Sequence, residues 1–166
     1  KFYRWLSSWA ISLRKPSDLG YDDDGFILPP LNVKPIFVDV DYKPDDQLFF
    51  TGLHGITDRV RVRRTTLEDR VQVASDMVNA SDEQWIVWCG LQEESTALAK
   101  AISDSVEVKG SDSPDSKATA IEAFQDGKYK VLISKPKIAG HGMNFQQACN
   151  MIFVGLSDSF LGDSCC

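Results

Sequence analysis

The chain has 166 residues, of which 43% are hydrophobic and 25% are charged, and its net charge at neutral pH is −6. Size and composition are typical of one soluble globular domain, and the acidic balance excludes nucleic-acid binding by bulk charge, because phosphate binding needs clustered Lys and Arg. No apolar run reaches the ~18 residues of a membrane helix, so we expect no membrane partner.

The first forty residues or so predict an amphipathic helix followed by an extended linker. The helix spans 2–13, ends at the cationic, proline-bearing segment 14–16, and has one apolar face, formed by Phe2, Trp5, Leu6, Trp9 and Leu13. We expect this face to remain exposed or to pack against a neighbour, which includes another copy of the chain; a membrane-surface helix is the alternative. The acidic run at 22–25 predicts a polar turn, and 26–28 and 36–40 predict short extended pieces.

The next segment, from 43 to 64, has no clear period. Its basic cluster alternates Arg with Val, which predicts a strand with Arg59, Arg61 and Arg63 on one face, turned toward phosphates or toward solvent. Thr65 and Glu68 then form a capping-box pattern. This pattern opens a predicted helix that ends at Asn79 and has four apolar residues at helical spacing: Leu67, Val71, Ala74 and Val78.

From residue 85 onward, predicted strands alternate with helices. The strands are 85–89, 106–108, 130–134 and 151–156. Two helices lie at 92–103, with Leu98, Ala101 and Ile102 inward, and 113–126, capped by Ser113, with Ile121 and Phe124 inward. A polar glycine loop and then a short helical segment join the last two strands, which we expect to be buried on both faces. The order predicts an α/β fold with a parallel sheet, and it places the loop 135–145 at the carboxyl edge, where such sheets bind ligands.

Several kinds of chemistry are missing from the sequence. No GxxxxGK[ST] loop and no GxGxxG turn occurs, so the chain has no self-sufficient nucleotide site. Ser134 and His141 lack the G-x-S-x-G elbow of a hydrolase triad. Cys89 and Cys149 lie in or beside apolar segments, which favours reduced thiols and a cytoplasmic location, and no Cys or His spacing predicts a metal site.

Four pieces of the sequence occur in an order that resembles the second RecA-like lobe of superfamily 2 helicases and translocases. The residues at 85–90, 108–111, 124–128 and 131–155 are similar to the fourth motif, a Gly-Ser segment, the F-x-x-G turn and the fifth motif. Upstream, ISLRKPSDLG and FILPP are similar to the segment that joins the lobes in the Swi/Snf-type branch, and SKP and GMNFQ are similar to its phage and prophage members. The resemblance covers about residues 10 to 160.

The resemblance implies a RecA-like three-layer α/β/α lobe at 43–166, preceded by an inter-lobe helix and linker at 1–42. It implies contacts to a nucleic-acid backbone from Gly90, Gln92, Gly110, Ser111, Ser134 and Lys135. It also implies nucleotide-facing positions at Gly142, Asn144 and Gln146. The implied cofactors are ATP and Mg²⁺ in a full-length protein, with none bound tightly by this lobe, and the implied partners are a first RecA-like lobe and, weakly, DNA.

The departures from the family pattern are equally informative. The sixth motif, with its arginines for the γ-phosphate, should follow GLSDSF, but the sequence continues LGDSCC. The first lobe is also missing, and Ser134 and Asn144 are one residue farther apart than in the commonest form of the Swi/Snf-type branch. We therefore expect a fragment that is truncated before the arginine-finger motif, contains no catalytic residue and is inactive by itself. The alternative is a non-catalytic interaction module of the same fold.

Overall fold

The computed structural model of the protein describes residues 1–11, 13–27, 30–40 and 56–155. The chain divides into two units, Lys1–Phe37 and Val38–Cys166. The predicted boundary between residues 42 and 43 lies outside the described residues. So do most of the segment 43–64, the predicted end of the last strand at Leu156, and the sequence that follows it.

The helix of the first unit is shorter than predicted. It is α1 (Phe2–Leu6), so the prediction of a helix to residue 13 was wrong. The hydroxyls of Ser7 and Ser8 donate to the carbonyls of Arg4 and Trp5, at 3.0 and 2.6 Å, and such local bonds favour the end of a helix over its continuation. The apolar stripe therefore does not form one helical face.

After α1, the described residues of the first unit contain one short 3₁₀ helix, Pro16–Leu19, and otherwise no helix or strand. The indole rings of Trp5 and Trp9 pack edge to face with centroids 5.2 Å apart, and both side chains remain exposed. The polar turn at 22–25 is confirmed, with Gly25 at a φ of 81°. The piece at 36–40, predicted to be extended, belongs to no described strand and forms part of the connecting segment.

The described part of the second unit contains helices and strands in alternation. The helices are α2 (Ile56–Thr65), α3 (Leu67–Asn79), α4 (Gln92–Ala101), α5 (Pro114–Gln125) and α6 (Pro136–Ala139). The strands are β1 (Trp85–Trp88), β2 (Ser105–Glu107), β3 (Val131–Ser134) and β4 (Asn150–Phe153). Each of the four predicted strands after residue 84 is present, with ends that lie at most three residues from the predicted ones.

The strands form one parallel sheet in the order β2-β3-β1-β4, which confirms the predicted α/β class. Trp85 pairs with Val131 of β3 on one side and with Asn150 of β4 on the other. Strand β3 is buried along its whole length, as predicted. The same prediction for β4 was wrong: Met151 is 42% exposed, because β4 lies at the edge of the described sheet and pairs only with β1.

The core lies on both faces of the sheet, so the second unit has three layers. Successive residues of a strand point to opposite faces, and Val87 therefore packs with apolar residues of α3 and α4, while Ile86 packs with Ile121 and Phe124 of α5. Leu98 of α4 and Ile102, directly after this helix, are buried as predicted. Ala101 is exposed, contrary to prediction, because it is the last residue of the helix and points away from the sheet.

Two predictions about the segment before α3 were wrong. The residues at 59–63 lie within α2 and not in a strand, because Arg is a good helix former and the helix continues almost directly into α3. The Thr65 hydroxyl donates to the carbonyls of Arg61 and Val62, at 3.2 and 3.0 Å, within α2. It therefore does not form the predicted capping box with Glu68, and Thr66 is the residue before α3.

Candidate functional site at the carboxyl edge of the sheet

Three of the predicted contact segments lie at neighbouring strand ends. Strand β3 lies between β2 and β1, and all strands run in the same direction, so their carboxyl ends are adjacent. The residues at 110–111 follow β2, those at 134–135 end and follow β3, and those at 90–92 follow β1. Residues that are far apart in the sequence are thus brought to one edge of the sheet.

The turn after β2 is open to solvent. Gly110 and Ser111 are both exposed. The Asp112 carboxylate accepts the Lys109 N–H at 2.7 Å, and the Lys117 ammonium donates to the Gly110 carbonyl at 2.9 Å. These bonds hold the turn in place from both sides and leave its outer surface polar and accessible.

The end of β3 presents two different environments. Ser134 is fully buried, and its hydroxyl donates to the Val108 carbonyl at 3.0 Å, so the side chain links β3 to the end of β2. The following residue, Lys135, is partly exposed and precedes α6 with extended backbone angles. Of these two residues, Lys135 is therefore the one whose side chain can reach a ligand in this conformation, and the role implied for Ser134 stays a prediction.

The predicted nucleotide-facing residues share one exposed loop. The short helix α6 precedes this loop, contrary to the predicted order, because Pro136 is favourable at the first position of a helix. Gly142 has a φ of 72°, the left-handed region that favours glycine, and no atom lies within 4 Å of an added Cβ. The Asn144 carbonyl accepts a bond at 2.6 Å from the amide of Gln125, the last residue of α5. Since α5 ends at the amino edge of the sheet, the loop leaves the carboxyl edge before Asn144, and the prediction that all of 135–145 lies at the carboxyl edge was wrong. Gln146 is exposed.

A buried ion cluster, which the sequence analysis missed, lies behind the turn after β1. Glu94 is 0% exposed. Its Oε2 atom accepts the N–H groups of Gly90 and Leu91, at 2.8 and 2.9 Å. Arg63 Nη2 donates to both carboxylate oxygens at 3.1 Å, and Arg70 Nη1 donates to Oε1 at 2.8 Å. We call these five residues the Glu94 cluster.

The cluster joins several elements and keeps its carboxylate charged. Burial raises the pKa of Glu94, but the bonds from the Leu91 N–H, Arg70, the Gly90 N–H and Arg63 outweigh burial, and the pKa lies below its ordinary value. Arg70 also donates to the Val154 carbonyl at 2.5 Å and to the Arg63 carbonyl. Helices α2 and α3 are thereby linked to the carboxyl ends of β1 and β4.

Close approach of a guanidinium explains two glycines at this edge. A Cβ atom would lie 2.1 Å from Arg63 Nη2 at Gly90, and 2.2 Å from the same atom at Gly155. The signal that could have revealed the cluster is the position of Glu94, the third residue of α4, where an acidic side chain bonds back to the N–H of the residue before the helix. Gln92, the first residue of α4, is exposed, and its amide donates to Glu107 Oε1 at 3.1 Å.

The residues of this chain do not fit a magnesium-bound triphosphate by themselves. The sequence contains no phosphate loop, and within the described ranges no three His, Cys, Asp or Glu side chains converge as metal ligands would. Among the same residues, no helix has the length and apolar character needed to cross a membrane.

No protein-family model matches the sequence, and no curated protein matches it at a significant level. The resemblance to helicase lobes therefore depends on the order of the four sequence motifs.

Proposed function

We propose that the chain is the C-terminal RecA-like lobe of an ATP-dependent DNA helicase or translocase. Its carboxyl edge contacts the DNA backbone, and the lobe forms one side of a nucleotide cleft. The observation that carries the proposal is the convergence of segments 110–111 and 134–135 at adjacent strand ends, from which the chain continues through α6 into an exposed loop with a left-handed glycine. Turns of this kind let backbone N–H groups approach phosphate oxygens closely.

Local charge supports the same surface despite the net charge of −6. The sequence from 134 to 142 contains Lys135, Lys137 and His141 and no acidic residue. Lys135 lies directly after β3, and Lys137 is exposed in α6, so both lie near the carboxyl edge. Lysines in such positions attract phosphates as point charges, whereas the remaining acidic surface keeps the overall affinity low.

Catalysis in the proposed protein requires a first RecA-like lobe and a sixth motif in addition to this chain. The resemblance places the phosphate loop and the acidic magnesium-binding residues in a first RecA-like lobe, and the arginines for the γ-phosphate in a sixth motif. We therefore expect no ATP hydrolysis by this chain by itself. Its own residues would orient DNA and close one side of the cleft, which is a positioning role.

The DNA contact can be tested with two matched pairs of lysines. Lys135→Ala with Lys137→Ala removes two charges at the carboxyl edge. Lys100→Ala with Lys128→Ala removes the same charge at the opposite edge, because Lys100 lies in the last turn of α4 and Lys128 lies between α5 and β3. The first pair should weaken binding of labelled single-stranded DNA, measured by fluorescence anisotropy. It should also reduce the magnitude of the negative slope of log K against log salt by about 1.4. The second pair should change neither the affinity nor the slope.

Equal effects of the two pairs, or no measurable DNA binding at low salt, would contradict the proposed surface. The ATPase role is tested separately, by joining the chain to a first lobe and an arginine-bearing sixth motif. That protein should hydrolyse ATP, and DNA should stimulate it. A folded fusion that binds DNA but hydrolyses no ATP would favour the non-catalytic interaction module.

A further inference from the structure

The Glu94 cluster has the donor arrangement of a phosphate site. Two backbone N–H groups at the start of α4 and two guanidinium groups surround a single carboxylate that solvent does not reach. Helix N-termini and arginines are the donors that proteins use for phosphate, because both offer several N–H groups directed at one anion. Here the anion is part of the chain, since Glu94 belongs to the first turn of the same helix.

We propose that Glu94 is a positioning residue that takes the place of a phosphate at the start of α4, and that this internal anion, not a nucleic-acid phosphate, holds the turn that contains Gly90 and Leu91. Glu94 satisfies these donors from within the chain, whether or not the carboxyl edge contacts DNA as proposed above.

The bonds of Glu94 determine which residues of the carboxyl edge are available to a ligand. The N–H groups of Gly90 and Leu91 bond Glu94 Oε2 at 2.8 and 2.9 Å, so neither is open to an outside phosphate while Glu94 stays in place. The side chain of the next residue, Gln92, bonds Glu107. The backbone contact that the resemblance assigns to Gly90 is therefore replaced by an internal one, and the open positions are those after β2 and β3.

The test is rescue by inorganic phosphate. Glu94→Ala removes the carboxylate and leaves the two arginines and two N–H groups around a vacant space. We expect its Tm to fall by roughly 10 °C in chloride, because a broken buried pair leaves uncompensated charge. Phosphate at ten times its dissociation constant, at matched ionic strength, should raise that Tm by about 4 °C.

Three controls separate rescue from general salt effects. The wild-type protein should respond equally to phosphate and chloride, because Glu94 already occupies the position. Glu94→Gln should be destabilised and should not respond to phosphate, because the amide fills the space. Glu93→Ala removes an equal charge from the same turn, at a side chain that is 54% exposed, and should change neither Tm nor its response to phosphate.

A wild-type protein stabilised by phosphate as much as Glu94→Ala, or a folded Glu94→Ala protein without a phosphate response, would overturn the inference. If Glu94→Ala does not fold, Glu94→Gln and Arg70→Met are compared singly and together. The loss of Tm in the double variant should then be clearly smaller than the sum of the two single losses, because removing one arginine relieves the uncompensated charge. Additive losses would also overturn the inference.

Discussion

The thiol of Cys89, at the carboxyl edge of the sheet, is unreactive because it is buried. The residue follows β1 and is 1% exposed. Burial raises the pKa of its thiol to about 12, and the nearby carboxylates of Glu94 and Glu107 add to the effect. A thiol with this pKa is protonated throughout the physiological range, and the thiolate is the reactive form. Cys89 therefore acts as a small core side chain beside the candidate site, as its apolar surroundings in the sequence suggested.

This chemistry predicts selective alkylation. In a chain with Cys165 and Cys166, which lie outside the described residues, replaced by Ser, iodoacetamide at pH 8 should modify the exposed Cys149 and leave Cys89 unmodified. Cys89 should carry a thiolate fraction on the order of a thousandfold below that of a thiol with the ordinary pKa of 9.0. Mass spectrometry of the native and denatured protein measures the result. Rapid native labelling of Cys89 would contradict the buried position.

Gly90 shows a limit of sequence reasoning at the same scale. From the sequence, a glycine after a strand indicates a turn, and the helicase resemblance adds a phosphate contact. The structure supplies a different reason, since Arg63 Nη2 would lie 2.1 Å from any Cβ at this position. Arg63 is distant in the sequence, and nothing in the local pattern around Gly90 reveals its approach. The fold was needed to identify the neighbour.

At the scale of elements, α5 is where local sequence and structure agree most fully. Ser113 accepts the Ser116 N–H at 3.1 Å, Pro114 occupies the first helical position, and Gly127 follows the end with a φ of 75°. Each of these features acts through local backbone bonds and needs no distant partner. The helix could therefore be predicted with both of its ends.

The cap of α5 gives a direct stability prediction. Ser113→Ala should lower the free energy of unfolding by about 1 kcal/mol, because the Ser116 N–H loses its acceptor. Ser113→Asp restores an acceptor and should recover most of the loss. Urea denaturation monitored by circular dichroism compares the three proteins. If the Ala variant were as stable as the wild type, the bond would contribute nothing to the helix.

The elements that could not be predicted depend on groups outside the local pattern. Alternation of Arg and Val at 59–63 indicated a strand, but these residues lie in the helix α2. Arg63 of this helix bonds Glu94, which is distant in the sequence, and the local pattern does not reveal that contact. Likewise α1 ends early because of two serine hydroxyls, although its apolar spacing favours a longer helix. The parallel sheet followed from the order of elements, but the inclusion of Glu94 in a buried cluster did not.

At the scale of the whole molecule, the Glu94 cluster predicts how stability changes with pH. The pKa of Glu94 is lower in the folded protein than its ordinary value of 4.5. A carboxyl group with a lowered pKa stabilises the fold fully above the unfolded value, and this contribution is lost as the pH falls through the folded value. The loss should therefore begin near pH 4.5 and continue below it.

The measurement is urea denaturation of the wild type and of Glu94→Gln between pH 7 and pH 3. The wild type should be more stable by about 3 kcal/mol at pH 7, and the difference should shrink as the carboxylate protonates. Glu93→Gln serves as the control and should lie within about 0.5 kcal/mol of the wild type at pH 7. A difference between wild type and Glu94→Gln that stays constant down to pH 3 would show that the carboxylate charge does not stabilise this cluster.

The strand order also has a consequence for how the protein is made. Strand β1 pairs with β3 on one side and with β4 on the other, and β4 is the last of the four to leave the ribosome. The nascent chain can assemble β2, β3 and β1 while one border of β1 still lacks its neighbour. Such a border offers its N–H and C=O groups to any extended peptide nearby. For the growing polypeptide, the interval before residues 150–153 emerge is thus one in which β1 can pair with a wrong partner.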